Sequence, residues 1–162
     1  MSVFVVDTNI LLYAADRDAP PHDTCRGLLL EWRQHPSPWY VTWGIIYEFL
    51  RVATHPRVFR TPCTLETAWR FIQALLAAPS IGMLVETDRH QQVASEVFAQ
   101  LPGIGGNLVF DAHTAILMKE HGIRTVYTHD SDFNRFPFLD VIDPIHQVRR
   151  ITPRGGESSS IR

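Results

Sequence analysis

The sequence predicts an α/β fold in which helices cover both faces of a mainly parallel β-sheet. Short apolar runs rich in β-branched residues alternate along the chain with stretches that have helical periodicity. Such alternation is typical of parallel strands joined by right-handed helical crossovers. The length of 162 residues and the hydrophobic content of 45% suffice for one core of this kind. There is no internal repeat and no heptad pattern in the sequence.

Five segments are predicted to be strands. Residues 3–6 form the apolar run Val-Phe-Val-Val, which indicates a strand buried on both faces. Residues 81–85 are a weaker candidate, because Gly82 contributes no side chain to the sheet. The remaining candidates are residues 39–42, 124–128 and 141–142.

Five helices are predicted between these strands. The first spans residues 23–34, begins at an Asp or Thr cap and ends before two prolines. The next three are expected to begin after threonine caps, and the last to end at a glycine. Those four helices span residues 43–53 behind Thr42, 65–77 behind Thr64, 88–100 behind Thr87 and 108–121 before Gly122.

Composition and chain length indicate one soluble domain. We expect residues 1–148 to form it, and residues 149–162, which end in Gly-Gly-Glu-Ser-Ser-Ser-Ile-Arg, to form a flexible tail. No basic leader precedes a long apolar run and no segment is long enough to cross a bilayer, so a cytoplasmic protein without membrane contact is expected. Cys25 and Cys63 lack a CxxC pair and any companion histidine spacing, so we expect buried thiols rather than a disulfide or zinc site.

The charge distribution limits how the chain could bind nucleic acid. Its net charge of −2 disfavours a protein that coats nucleic acid by bulk electrostatics. Arg51, Arg57 and Arg60 nevertheless lie close together around a short loop, and the planar guanidinium group suits phosphate. These arginines are candidate contacts to a phosphate backbone, although surface solubility explains them equally well.

Four acidic residues are placed where this fold would bring them together. Asp7 and Asp130 follow predicted strands, and ligands of open parallel sheets bind beyond the carboxyl ends of the strands. Glu48 and Asp111 lie on helices that the same architecture can bring alongside. Individually, each acid has a structural explanation, such as a turn residue or a partner for a helix dipole. Together they would repel one another unless a multivalent cation neutralised them.

The predicted cation is Mg²⁺, with Mn²⁺ as the alternative. Both ions prefer carboxylate and water oxygens, whereas zinc prefers histidine and cysteine ligands. A site of this type hydrolyses phosphodiesters by activating water and stabilising charge on the leaving oxygen. His113 and His129 lie within two residues of these acids, but side chains so close in sequence diverge on a helix or strand, so we expect them in solvated or packing roles.

The ordered motifs of the chain resemble those of PIN domains from residue 2 to about residue 144. Any one motif is weak, but all four in this order and spacing are highly specific. They are Val-Val-Asp7-Thr-Asn9, an isolated Glu48 on the second main helix, Asn107-Leu-Val-Phe-Asp111-Ala-His-Thr, and Thr128-His-Asp130-Ser-Asp132-Phe133.

Within that family the chain is most similar to VapC toxins, the ribonuclease halves of bacterial toxin–antitoxin pairs. The resemblance implies a three-layer α/β/α sandwich, a homodimer, a structured or transfer RNA substrate, and an antitoxin that blocks the acidic cleft. Exposed apolar residues on the helices within 43–77 would suit the dimer interface. The roles implied by position are metal-site acids for Asp7, Glu48, Asp111 and Asp130, bracing residues for Asn9 and Thr128, and a secondary acid for Asp132.

Three alternatives compete with this interpretation. A haloacid-dehalogenase-like phosphatase also uses an Asp after its first strand, but it needs a second Asp where this chain has Asn9. A catalytically silent PIN-like RNA- or protein-binding module would keep the fold and lose the acids, all of which are present. A protein that sequesters RNA without cutting it would not depend on the carboxylate of Glu48.

Overall fold

A computed structural model describes residues 3–149 of the chain, and the first two residues and residues 150–162 lie outside the described part. The predicted tail therefore falls almost entirely outside it. Five strands, seven α-helices and one short 3₁₀ helix form within the described range. In chain order they are β1 (Phe4–Val6), α1 (Thr8–Ala15), α2 (His22–Trp32), β2 (Trp39–Thr42), α3 (Trp43–Ala53), α4 (Leu65–Leu76), β3 (Ile81–Leu84), α5 (His90–Gln100), α6 (Leu108–Glu120), β4 (Thr125–Tyr127), the 3₁₀ helix (Ser131–Arg135), β5 (Asp140–Ile142) and α7 (Pro144–Arg149).

The sheet is parallel throughout, with the strand order β3-β2-β1-β4-β5. Strand β1 is central and completely buried, as its uniformly apolar sequence predicts. Phe4 pairs with Trp39 on one side and with Thr125 on the other. Because all five strands run in the same direction, their carboxyl ends meet at one edge of the sheet.

Helices pack on this sheet to give the predicted three-layer α/β/α sandwich. Helix α1 packs against α2 and α3, and α5 packs against α6. The core below α2 is aromatic: the ring centroids of Trp32 and Tyr127 are 4.8 Å apart, and Trp39 Nε1 donates to the carbonyl of Trp32 at 3.0 Å. None of the helices in residues 3–149 has the length and apolar character needed to span a membrane.

Two of the predicted threonine caps are confirmed. The Thr42 hydroxyl accepts from Ile45 N at 3.1 Å, and the Thr64 hydroxyl accepts from Thr67 N at 3.2 Å. Gly122 ends α6 with a φ of 68°, a left-handed conformation that favours glycine. The residue types at these three helix ends are therefore enough to predict where the helices begin or end.

Other predicted helix ends are wrong. Helix α2 begins at His22 after Pro21, and no side chain caps it, so the predicted Asp or Thr cap does not form. Helix α5 begins at His90, later than predicted, and the Thr87 hydroxyl donates to Glu120 at 2.7 Å. The same hydroxyl accepts from the backbone amide of Arg89 at 3.2 Å, so Thr87 organises the turn that precedes α5 rather than capping a helix that begins at residue 88.

Gly82 has a steric role that its sequence context did not indicate. A Cβ atom at this position would lie 2.5 Å from the ring of Tyr40 on the neighbouring strand β2. The close approach of the aromatic ring to the β3 backbone therefore requires glycine here.

Candidate active site

Asp7 lies where β1 ends and α1 begins, at the carboxyl edge of the sheet. Its side chain is only 6% exposed and accepts three hydrogen bonds. Oδ1 accepts from the backbone amide of Thr8 at 2.8 Å, so Asp7 is also the N-cap of α1. Oδ2 accepts from the Thr128 hydroxyl at 2.8 Å and from the Asn9 amide at 3.0 Å.

Asn9 and Thr128 form a polar network around this carboxylate. Asn9 Nδ2 also donates to the Thr128 hydroxyl, at 3.0 Å, and Asn9 Oδ1 accepts from the backbone amide of His129 at 3.0 Å. The Thr128 hydroxyl accepts in addition from the backbone amide of Asp130 at 3.0 Å. The network therefore ties the ends of β1 and β4 together and fixes the orientation of Asp7.

Glu48 reaches the same region from α3. Its Oε2 accepts from the Thr8 hydroxyl at 3.0 Å, and its Oε1 is 3.9 Å from the guanidinium of Arg51 one turn further along the helix. Thr8 therefore contacts Asp7 through its backbone and Glu48 through its side chain. Thr8 was not predicted as a site residue, because nothing near it in sequence indicates that its hydroxyl would reach Glu48, forty residues away.

Asp111, Asp130 and Asp132 form the other half of the acidic group. Each offers a carboxylate oxygen within 4.8 Å of the other two. Asp111 lies in the first turn of α6, and Asp130 caps the 3₁₀ helix by accepting from Asp132 N at 2.9 Å. Asp132 is exposed and also lies 3.7 Å from Arg135. The turn of 3₁₀ helix thus brings Asp132 back beside Asp130.

All five acids line one cleft of about 780 Å³. Arg51 is among its lining residues, whereas Arg57 and Arg60 are exposed and are not. Tyr47 and Phe110 also line the cleft and are 67% and 72% exposed. These two aromatic residues were not predicted as part of the site, because each fits the helical pattern of its own segment.

Two of the carboxyl groups hold their protons unusually tightly. Burial raises the pKa of Asp7 to about 6, and the nearby charges of Glu48 and Asp130 add to the effect, against the hydrogen bonds from Thr128 and Thr8. Burial also raises the pKa of Asp111 to about 7, followed by repulsion from the other four acids. Among the described residues, Arg51 and Arg135 lie 3.9 and 3.7 Å from Glu48 and Asp132, but no basic side chain forms an ion pair with Asp7 or Asp111.

The donor chemistry of the cleft fits a hard divalent cation. The acidic side chains supply only oxygen ligands, which Mg²⁺ and Mn²⁺ prefer. Burial and the neighbouring acids both disfavour the ionised forms of Asp7 and Asp111, so a bound cation would stabilise the charge on these two carboxylates. The two histidines near these acids in sequence do not join the acidic group through hydrogen bonds: His113 pairs with Glu86 and His129 with Asp143, both at 2.9 Å.

Comparisons with known proteins agree with this architecture. A family model described as the PIN domain matches residues 4–139. The chain is 32% identical to Ribonuclease VapC48 of Mycobacterium tuberculosis over 142 residues, which cover 85% of this chain and 94% of that protein.

Solved structures share the fold at lower identity. One is VapBC2 from Rickettsia felis bound to a DNA fragment from their promoter, with a TM-score of 0.62, 17% identity, and coverage of 86% of this chain and 97% of that one. Another is a toxin–antitoxin complex from Klebsiella pneumoniae, with a TM-score of 0.54, 16% identity, and coverage of 89% and 98%.

Proposed function

Because this chain belongs to the PIN-domain family and to its VapC ribonucleases, we propose that it is a magnesium-dependent endoribonuclease and the toxin of a VapBC-type pair. One observation carries the proposal. Asp7, Glu48, Asp111 and Asp130, from four separate segments of the chain, line a single cleft at the carboxyl edge of the sheet. Burial and, second to it, repulsion between these acids raise the pKa values of Asp7 and Asp111, and perturbed pKa values of this kind cluster at functional sites.

We assign the four acids as metal ligands and catalytic residues. Bound Mg²⁺ would supply an activated water molecule and stabilise charge on the leaving oxygen, and Mn²⁺ would suit the same ligands. We rank Asp130 above Asp132 as the fourth acid. In support, Asp130 is held at the strand end by the Thr128 hydroxyl, whereas Asp132 is exposed and lies near Arg135.

The surrounding side chains position these acids. Asn9 and Thr128 hold one oxygen of Asp7 while Thr8 holds the other, so the carboxylate has no freedom to rotate. The Thr8 hydroxyl also donates to Oε2 of Glu48, and the other oxygen, Oε1, lies 3.9 Å from Arg51. No nucleophilic side chain is needed, because water attacks the phosphodiester.

Arg51 is the RNA contact that the geometry favours. It lines the cleft with its side chain 69% exposed, so it can reach a phosphate next to the scissile bond. Arg57 and Arg60 are exposed but lie outside the cleft lining, so we assign them to RNA further from the site of cleavage. Alanine at Arg51 should weaken RNA binding and reduce its salt dependence.

The partners of the chain follow from the same proposal. A cognate antitoxin would inhibit the enzyme by covering the acidic cleft, whose rim carries exposed Tyr47 and Phe110. A homodimer would bury exposed apolar residues of α3 and α4, among them Trp43 and Leu65. The cytoplasm, where RNA and antitoxin are both made, is the corresponding location.

RNA cleavage by paired variants tests the function. Asp7→Asn and Glu48→Gln should abolish Mg²⁺-dependent cleavage by purified protein, because each removes a charged ligand while keeping its shape. Asp18→Asn and Glu66→Gln are the matched controls, since both acids are exposed and neither lines the cleft. Cleavage that survives in Asp7→Asn and Glu48→Gln preparations purified in parallel would refute the catalytic assignment.

Growth assays separate cleavage from the other two modes of action. Cleavage predicts that Glu48→Gln relieves growth inhibition and that Glu66→Gln does not. RNA sequestration predicts that inhibition survives the Glu48→Gln change. A silent module predicts no Mg²⁺-dependent cleavage by the wild-type chain.

A further inference from the structure

A second group of potential metal ligands adjoins the acidic group and shares none of its carboxylates, although His113 also lines the cleft. Glu86 follows β3, His90 is the first residue of α5, and His113 lies on α6. Each offers one ligand atom within 4.8 Å of the other two. His113 Nε2 is already 2.9 Å from Glu86 Oε1, and the rings of His90 and His113 meet edge to face with centroids 5.7 Å apart.

The orientation of His90 is set by a further carboxylate. His90 Nδ1 lies 2.7 Å from Glu120 Oε2, where the ring N–H donates to the acid. The other oxygen of Glu120 accepts from both the backbone amide and the hydroxyl of Thr87, at 3.1 and 2.7 Å. Histidines that bind metals usually donate their second ring N–H to a carboxylate in this way. With Nδ1 engaged as a donor, His90 Nε2 keeps its lone pair for a ligand.

We propose that Glu86, His90 and His113 bind a divalent transition-metal ion, with Zn²⁺ as the best match. Two imidazoles and one carboxylate are a recurrent zinc ligand set that leaves a fourth position for water. Mg²⁺ disfavours nitrogen ligands, so the ions of this site and of the acidic cleft differ in kind. Bound metal would fasten the connection between β3 and α5 to α6, the helix that carries Asp111.

A second group of histidines and an acid in the molecule is a weaker candidate for a metal site. His129, Asp143 and His146 also group within 4.8 Å, but there both histidines share the one acid. His146 reaches Asp143 only at 3.6 Å, and its side chain is 70% exposed. No second carboxylate hydrogen bonds to His129 or His146 among the described residues. The geometry at His90 is therefore the more organised of the two.

Zinc titration of the full chain tests the proposal. Isothermal titration calorimetry with Zn²⁺ is run in saturating Mg²⁺, which would occupy the carboxylates of the cleft, and Co²⁺ substitution reports nitrogen coordination by its visible spectrum. Glu86→Gln is expected to fold normally because its side chain is about half exposed. His90→Gln keeps a donor for Glu120 and loses the ring nitrogen. His129→Gln is the matched control, since it also removes a histidine that pairs with an acid.

We expect one tight Zn²⁺ equivalent in the wild type and in His129→Gln, and at least 100-fold weaker binding in Glu86→Gln and His90→Gln. At 100-fold excess over Kd, zinc should raise the Tm of the wild type by roughly 5–10 °C. Tight binding that persists unchanged in both Glu86→Gln and His90→Gln overturns the proposal, as does a wild type that binds no zinc. Mg²⁺-dependent RNA cleavage should survive in both variants, so failure of this site is distinct from failure of the proposed enzyme.

Discussion

Neutralising Asp111 should make the metal-free protein more stable even as it removes activity. The substitution Asp111→Asn keeps the size of the side chain and removes a charge that is partly buried and that four neighbouring acids repel. An Asp side chain with an ordinary pKa of 3.8 is ionised in the unfolded chain at neutral pH, whereas the folded protein holds Asp111 at about 7. Between these values the folded state binds the additional proton, so wild-type stability falls as pH rises from about 4 to 7.

The size of this effect follows from the two pKa values. Each tenfold change in proton affinity is worth about 1.4 kcal/mol, which sets a ceiling of about 4 kcal/mol above pH 7. Asp111 is only partly buried, so solvent screening reduces that ceiling substantially. The carboxylate also gains about 0.3–1 kcal/mol from the N-terminal dipole of α6, which Asn forgoes. We therefore expect Asp111→Asn to add about 1–2 kcal/mol at pH 8.

Urea denaturation in EDTA, followed by tryptophan fluorescence, measures this difference. The gain from Asp111→Asn should fall to half or less at pH 4.5, where the wild-type residue is protonated in the folded state. Mg²⁺ should stabilise the wild type more than the variant. Asp23→Asn, in the first turn of α2 and exposed, is the control that loses only a dipole contact. A variant less stable than wild type at pH 8, or a gain equal at both pH values, would refute the argument.

Three further substitutions test the hydrogen bonds of the site and the packing of the fold. Thr128→Val should lower the free energy of unfolding by about 1–3 kcal/mol in urea denaturation, because it removes a buried hydroxyl that donates to Asp7. An unchanged free energy of unfolding would show that this hydrogen bond does not stabilise the fold. Gly82→Ala should cost about 1–3 kcal/mol, since its Cβ would meet the ring of Tyr40 at 2.5 Å, and wild-type stability would show that the ring moves freely. Gly27→Ala within α2 has nothing within 4 Å of the new Cβ and should raise stability by about 0.5–1 kcal/mol; a lower Tm would contradict that expectation.

Much of the fold was predictable because its strands and most of its helices have strong local signals. Strand β2 and helix α3 have the bounds that the sequence predicted, since Thr42 both ends one and caps the other. Helix α1 was not predicted, because its sequence Thr-Asn-Ile-Leu-Leu-Tyr-Ala-Ala has little alternation between polar and apolar faces. Helix α7 was missed as well, at the end of the described residues.

The acidic cleft was predictable in outline because parallel topology determines where strand ends meet. Asp7 and Asp130 follow neighbouring strands β1 and β4, so their proximity needs no knowledge of side-chain packing. The contribution of Thr8 was not predictable, since its hydroxyl reaches Glu48 across forty residues of chain. Long-range side-chain contacts of this kind depend on how α1 packs on α3, which local sequence does not specify.

The direction of the His113 side chain was predictable from the sequence, but its partner Glu86 was not. Side chains two residues apart on a helix diverge, so His113 was expected to turn away from Asp111, and its ring indeed pairs with Glu86 instead. No zinc site was predicted, because Cys25 and Cys63 lack ligand spacing and His113 was expected in a solvated or packing role. Glu86 and His90 were not predicted as site residues. Their proximity arises only when α5 packs on α6. Helix α6 therefore carries both Asp111, an oxygen ligand of the acidic cleft, and His113, a nitrogen ligand of the second cluster. This difference in donor atom would let the two sites select different metal ions.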